Sequence, residues 1–201
     1  MTVESVSTHT VEPVASPGTS VRHVNDVDLG AVSRLASRIQ ADAAIGKTLW
    51  KAEVSWTGAF RSEFRSRHLP PVRSDEPDLL GGGDTAPNPA EQLLGALGNC
   101  LAVGYAANAS AAGITIHSLR IALDGEIDLA VVLGLRAGNA GYESIRAKVH
   151  LDADGTPEQL LQLHDKVVGT SPVGHTLGRA VPVKIELAGI AEGALRVAAA
   201  P

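Results

Sequence analysis

A single cysteine is the residue in this sequence with the clearest capacity for chemistry. Cys100 is the only cysteine among 201 residues, so no disulfide can form within the chain. A cysteine thiolate is a nucleophile, and oxidants convert it to a sulfenic acid. That reaction requires a lowered thiol pKa, and hence a cation or hydrogen-bond donors nearby. The alternative is that Cys100 is a small buried apolar residue, the commoner role of a lone cysteine on an apolar helix.

Other residues with catalytic or ligand chemistry are sparse. His175 is a candidate base or ligand, although an isolated histidine is more often a surface or packed residue. The remaining histidines lack metal-ligand spacing and no Cys/His cluster exists, so we expect no metal. The run Gly81-Gly82-Gly83 precedes a proline-containing stretch and not a helix, which argues against a phosphate-binding loop. We therefore expect no cofactor.

Three helices that must position these residues begin with a capping residue followed by proline. The pairs are Asn88-Pro89, Thr156-Pro157 and Ser171-Pro172. Glu91 and Gln159 complete capping boxes in the first two. We expect helices over 88–112, 157–168 and 172–180. The first carries Cys100 and is apolar on most of its circumference, so it belongs inside a core.

Alternating apolar and polar residues predict the strands. We expect a half-buried strand over 50–56 that ends at Thr57-Gly58, and a hairpin partner over 60–67. Further strands are expected over 116–132 with a bend at Gly125, over 142–151 and over 181–187. Residues 68–87 read as an irregular loop. This order of elements indicates an α+β fold with helices on a mainly antiparallel sheet.

The ends of the chain differ from its middle. Residues 1–24 resemble a disordered tail, and residues 25–46 form an amphipathic helix that Asn25 or Asp26 can cap and Gly46 can end. The main domain is expected over 47–190, with a C-terminal tail over 191–201.

Composition excludes several classes of partner. A formal charge of −5 and 3% aromatic residues give no basis for binding nucleic acid. No stretch approaches the roughly 18–20 apolar residues of a membrane span, and a signal peptide is not expected. One cysteine suits a reducing compartment, so we expect a cytoplasmic protein.

Three segments together resemble the OsmC/Ohr family. Residues 88–94, Asn-Pro-Ala-Glu-Gln-Leu-Leu, followed by Cys100-Leu101 are similar to that family's central helix. Residues 171–177, Ser-Pro-Val-Gly-His-Thr-Leu, resemble its second cysteine motif, which normally begins Cys-Pro-Val. Asp75-Glu76-Pro77 with Gly81-Gly82 is similar to the branch with a DEP–GG loop. The similarity spans about residues 48–188.

The resemblance implies an intertwined homodimer with active sites at the subunit interface, and an N-terminal helix in addition to the family fold. It makes Cys100 the peroxide-attacking cysteine of a thiol-dependent organic hydroperoxide reductase. Ser171 stands where two-cysteine members carry the cysteine that closes a disulfide, and serine cannot do so. It still caps its helix and can place a hydroxyl near Cys100.

The resemblance also implies an arginine from the region before the central helix. The candidates there are Arg61, Arg65, Arg67 and Arg73. We choose Arg73, which is nearest the Asp75-Glu76 segment. The family's glutamate is replaced by Ala90, and Glu91 lies about 180° around the helix from Cys100, so Glu76 or Asp75 is the candidate carboxylate.

Two functions and one further role follow. The first is a one-cysteine peroxidase recycled by an external thiol or dithiol. The second is a non-peroxidatic relative that binds or transforms an apolar small molecule in the dimer-interface pocket, where Ser171 and His175 would contribute to binding. The helix at 25–46 could instead dock on a protein partner.

Overall fold

The computed structural model describes residues 24–188, so the expected tails lie outside it except for Val24. The helices are α1 (Leu29–Ala41), α2 (Pro89–Ala111), α3 (Leu129–Val132), α4 (Pro157–Thr170) and α5 (Pro172–Leu177). The strands are β1 (Glu53–Gly58), β2 (Arg61–Arg65), β3 (Val72–Ser74), β4 (Ile116–Gly125) and β5 (Ile145–Ala153). Short 3-10 turns cover Val24–Asp26, Ala43–Gly46 and Asp78–Leu80.

The central helix α2 begins and ends where the sequence predicts. The Asn88 side chain accepts a hydrogen bond from Glu91 N at 2.8 Å, and the Glu91 carboxylate accepts one from Asn88 N at 2.9 Å. Two donors that would otherwise be unpaired are thereby satisfied at the helix start. Thr156 caps α4 in the same way with Gln159, and Ser171 caps α5 by accepting from Gly174 N, so all three expected caps are confirmed. Helix α5 ends at Leu177 and not at residue 180.

Both sheets are antiparallel, as expected. Strands β1, β2 and β3 form one sheet, and β4 pairs with β5 in the other. The fold is therefore α+β. Strand β3 falls inside the stretch 68–87, which was expected to be an irregular loop. It was missed because three residues are too few to show a period in the sequence.

Several strand boundaries differ from the expectation: β1 covers 53–58 and not 50–56, and β2 covers 61–65 and not 60–67. The strand that starts at Ile116 ends at Gly125, and α3 follows, capped by Asp128 through Ala130 N. Strand β5 covers 145–153 and not 142–151. Residues 181–188 contain no regular secondary structure. An alternating pattern becomes a strand only when a neighbouring edge accepts its hydrogen bonds, and the described residues offer none to this segment.

The core lies where α2 and α4 pack on β4 and β5. It is built from six buried residues, which are Leu101, Tyr105, Ala109, Ile114, Leu163 and Val167. Strand β1 is outside this core. The half-burial expected for 50–56 is wrong for the single chain, because Trp56 is 75% exposed and Val54 67%.

The N-terminal segment is attached to the core by an asparagine. Asp28, and neither Asn25 nor Asp26, caps α1 through Ala31 N. The Asn25 amide instead donates to Ser110 Oγ and Ile114 O and accepts from Ile116 N. Its φ of 53° is a left-handed conformation that asparagine tolerates. Asn25 thus joins the end of α2 to the start of β4.

Candidate active site

Cys100 lies against Ser171, the N-cap residue of α5. Its Sγ is 3.3 Å from Ser171 Oγ. Cys100 is partly buried and Ser171 is only 4% exposed. The Ser171 oxygen also accepts the Gly174 N–H at 3.1 Å, so the hydroxyl proton is free to point toward the sulfur. The same Ser171 hydroxyl group therefore caps α5 and lies next to Cys100.

Buried contacts between α2 and α4 set this arrangement, because Ser171 follows α4 directly. Tyr105 is 1% exposed, and its hydroxyl hydrogen-bonds to His164 Nδ1. Burial raises the pKa of Tyr105. Beside it, a Cβ on Gly104 would lie 2.9 Å from a methyl group of Val167, so the glycine permits the close approach. Sequence reasoning missed the contact between Tyr105 and His164, because these two residues are 59 residues apart.

A groove of about 400 Å³ opens beside Ser171. One wall is apolar and consists of Leu97, Leu101, Ala147 and Val168. The other follows α5 and its end, with Ser171, Gly174, His175, Gly178 and Arg179. A second cavity of about 470 Å³ shares Leu97, Gly174 and Gly178 with it.

The groove contains one expected residue and one that sequence reasoning missed. The His175 Nε2 lies 2.9 Å from Gly169 O, which ties α5 back to the last turn of α4. Arg179 was overlooked because the search for a cation was confined to the region before α2. Its signal was its position shortly after Ser171, just beyond the end of α5 at Leu177.

Arg73 and Glu76 are not beside the cysteine of their own chain. The Glu76 carboxylate accepts from Asn88 Nδ2 at 3.3 Å, and Asn88 precedes Cys100 by about 18 Å along the helix axis. The Arg73 carbonyl accepts from Gln92 Nε2, and its side chain lines a separate cavity of about 310 Å³. Within residues 24–188 no hydrogen bond or ion pair joins either residue to Cys100.

The alternative carboxylate, Asp75, holds the loop before α2. Asp75 is 1% exposed and accepts four hydrogen bonds: from Glu76 N at 2.9 Å, Gly83 N at 3.3 Å, Thr85 N at 3.3 Å and Thr85 Oγ1 at 2.7 Å. The Thr85 hydroxyl in particular lowers the pKa of Asp75. This carboxylate is engaged in the loop and does not face the thiol.

The described part of the chain holds neither a metal-binding cluster of side chains nor a membrane-spanning helix. Between residues 24 and 188 no cluster of three or more His, Cys, Asp or Glu side chains could hold a metal ion. No helix of that part is long and apolar enough to cross a membrane.

Known structures share this fold at low sequence identity. An OsmC-like protein from Mycoplasma pneumoniae matches with a TM-score of 0.57 and 17% identity, over 66% of this chain and 89% of the other. An organic hydroperoxide resistance protein, OsmC, from Legionella pneumophila matches with 0.50 and 14%, over 65% and 91%. An OsmC-like protein of unknown function from Vibrio cholerae matches with 0.50 and 12%, over 64% and 93%. At these identities the likeness shows the fold.

The family of this chain is shown by its sequence. A comparison with curated proteins found no match. The family model described as OsmC-like protein matches residues 81–186, which is more than half of the chain and includes α2, Cys100 and Ser171. The chain therefore belongs to the OsmC family.

Proposed function

We propose that this protein reduces organic hydroperoxides at Cys100 as a one-cysteine peroxidase. The observation that carries the proposal is the 3.3 Å contact between Cys100 Sγ and Ser171 Oγ beside an apolar groove. At this distance the Ser171 hydroxyl can hydrogen-bond to the sulfur while its oxygen caps α5. A fold neighbour, the Legionella protein, is called an organic hydroperoxide resistance protein.

The reaction needs an external reductant because serine cannot close a disulfide. The Cys100 thiolate attacks the terminal oxygen of the hydroperoxide, the O–O bond breaks, and the departing alkoxide takes a proton to become an alcohol. A thiol then attacks the Cys100 sulfenic acid, which gives a mixed disulfide and water. A second thiol releases Cys100 and forms the oxidised reductant. Cytoplasmic thiols or a small dithiol would serve.

The peroxide reaction can be tested directly, because Cys100 is the only thiol of the chain. One equivalent of an alkyl hydroperoxide is expected to consume that thiol and to add one oxygen atom by mass spectrometry. Replacing Ser171 with alanine should slow the reaction about tenfold, since a hydrogen bond to a charged group is worth about 1.5 kcal/mol or more.

The matched control for Ser171→Ala is Thr156→Ala. It removes the equivalent cap of α4, which accepts from Gln159 N, and leaves the thiol site intact. A thiol that stays unreacted with an excess of several hydroperoxides would contradict the peroxidase. An apolar molecule that copurifies with that unreactive protein, and with its Cys100→Ser variant, would instead support the ligand-binding alternative.

We also propose that a second copy of the chain completes the site. In the described residues no cation contacts Cys100, and large apolar surfaces are left uncovered. Trp56 is 75% exposed on β1, and Val183 and Ile185 are 80% and 91% exposed. Surfaces of this kind on a soluble protein mark interfaces. A homodimer would cover them and could bring Arg73 or another upstream arginine of one copy toward Cys100 of the other.

The dimer is tested by sedimentation equilibrium, which is expected to give twice the mass of the chain. Trp56→Lys should weaken association about thirtyfold or more, because buried tryptophans dominate interface energies. Ser55→Lys changes the preceding residue, which lies on the opposite face of β1, and should leave the dimer intact. A monomeric wild-type protein, or equal weakening by both variants, would contradict the proposed dimer.

A further inference from the structure

We infer that Arg179 selects a carboxylate-bearing thiol as the reductant of Cys100. The inference rests on the proposed function, in which an external thiol must replace the missing second cysteine. That thiol has to reach the sulfur, and the groove of about 400 Å³ is lined by Ser171, whose hydroxyl contacts Cys100 Sγ. The charges along the groove therefore decide which thiols approach easily.

The charge of the groove is one-sided. Among the described residues that line it there is no carboxylate, and Arg179 carries the one permanent charge. No hydrogen bond or ion pair within residues 24–188 involves its guanidinium group. Arg65 is paired with Glu63 and Arg146 with Asp124, whereas Arg179, like Arg120, has no acidic partner among the described residues. A guanidinium group without an acidic partner at an apolar groove suits an anionic ligand.

The distance between Arg179 and the thiol fits a small molecule. Ser171 precedes α5 and Arg179 follows its C-cap, Gly178, and the six residues of α5 between them rise about 9 Å. The arginine side chain spans part of that length. Gly174 and Gly178 carry no side chains on the intervening face, so a ligand can lie against the backbone of α5. A short thiol with a carboxylate can then place its sulfur at Cys100 and its charge near Arg179.

His175 shapes this passage. One of its ring nitrogens is used by the contact with Gly169 O. His175 lines the groove together with Ser171 and Arg179. Its contact with α4 keeps α5 in place, so the groove stays open along its length.

The test compares three thiols of similar size, which are 3-mercaptopropionate, 2-mercaptoethanol and cysteamine, with a negative, neutral and positive charge. The Cys100 sulfenic acid is formed with one equivalent of hydroperoxide, and its reaction with each thiol is followed by stopped flow. Differences in intrinsic thiol reactivity cancel when rate ratios are compared between protein variants. In Arg179→Glu the ratio of the mercaptopropionate rate to the cysteamine rate should fall at least about tenfold at low ionic strength. In Arg179→Lys the ratio should stay close to that of the wild type.

The matched control is Arg120→Glu, which changes the net charge by the same amount. Arg120 occupies an exposed position of β4 and does not line the groove. An equal fall of the ratio in Arg120→Glu and Arg179→Glu would overturn the inference, and so would an unchanged ratio in Arg179→Glu. Added salt should reduce the effect of Arg179→Glu.

A second measurement separates this inference from the peroxidase itself. Cys100 is first converted to its mixed disulfide with 2-thiopyridine, and release of 2-thiopyridone by the same three thiols is followed by absorbance. This reaction needs no hydroperoxide. The same charge preference here, without any reaction with hydroperoxides, would support Arg179 and refute the peroxidase. Peroxide reactivity without a charge preference would refute only the role of Arg179.

Discussion

Replacing Ser171 with cysteine is expected to change the product of oxidation from a sulfenic acid to an intramolecular disulfide. The present oxygen is 3.3 Å from Cys100 Sγ, and two sulfur atoms need to approach to about 2.0 Å, so a small rotation of the introduced side chain suffices. Groups held this close reach effective concentrations on the order of 10⁵ M, far above any dissolved thiol. The Ser171→Cys protein should therefore lose both thiols after one equivalent of hydroperoxide, and its mass should fall by two hydrogens.

The control for Ser171→Cys is Thr156→Cys, which introduces a thiol at the cap of α4, away from Cys100. It should keep its added thiol while Cys100 is oxidised. Ser171→Cys protein that retains its introduced thiol, under conditions in which Cys100 of the wild type is consumed, would show that the 3.3 Å contact does not permit the second step.

Replacing Gly82 with alanine is expected to destabilise the loop before α2 severely. A Cβ at this position would lie 1.8 Å from the Glu76 carbonyl oxygen and 2.3 Å from its carbon, which are backbone atoms that cannot rotate away. The loop must open to relieve the overlap. The hydrogen bonds of Asp75 and the contact between Glu76 and Asn88 would then be lost. We expect a loss of free energy of unfolding on the order of 3 kcal/mol.

The comparison variant for Gly82→Ala is Gly95→Ala in α2, where nothing lies within 4 Å of the added Cβ. There alanine should raise the free energy of unfolding by about 0.5–1 kcal/mol, because glycine is a poor helix residue. Urea denaturation measures both. Equal stability of the Gly82→Ala protein and the wild type would show that the close approach to Glu76 is not required.

Local sequence signals predicted the helices of this protein well. Asn88 with Glu91, Thr156 with Gln159, and Ser171 each form the capping contact that their types and spacing indicate. The partner across each cap is at most three residues away, so a single sequence contains all the information needed.

Features that depend on distant residues were harder to predict. The alternation around Val54 and Trp56 indicates that one face of β1 is to be buried, but it does not tell which surface covers that face. The same holds for residues 181–188. The contact between Tyr105 and His164, and the position of Arg179 beside the groove, depend on how two helices pack. The resemblance to a family directed the search for a cation upstream, toward Arg73, and away from the residues after Ser171.

The contact between Tyr105 and His164 affects how precisely Cys100 Sγ is positioned relative to Ser171 Oγ. Cys100 lies five residues before Tyr105 on α2, and Ser171 lies seven residues after His164, so both atoms of the site are fixed relative to the same crossing of two helices. A shift of α4 by one residue along its axis moves it about 1.5 Å, which is enough to break a 3.3 Å contact. The close fit of Gly104 against Val167 opposes such sliding. The alignment of the Cys100 thiol with the Ser171 hydroxyl thus depends on how α2 and α4 cross at Tyr105 and His164.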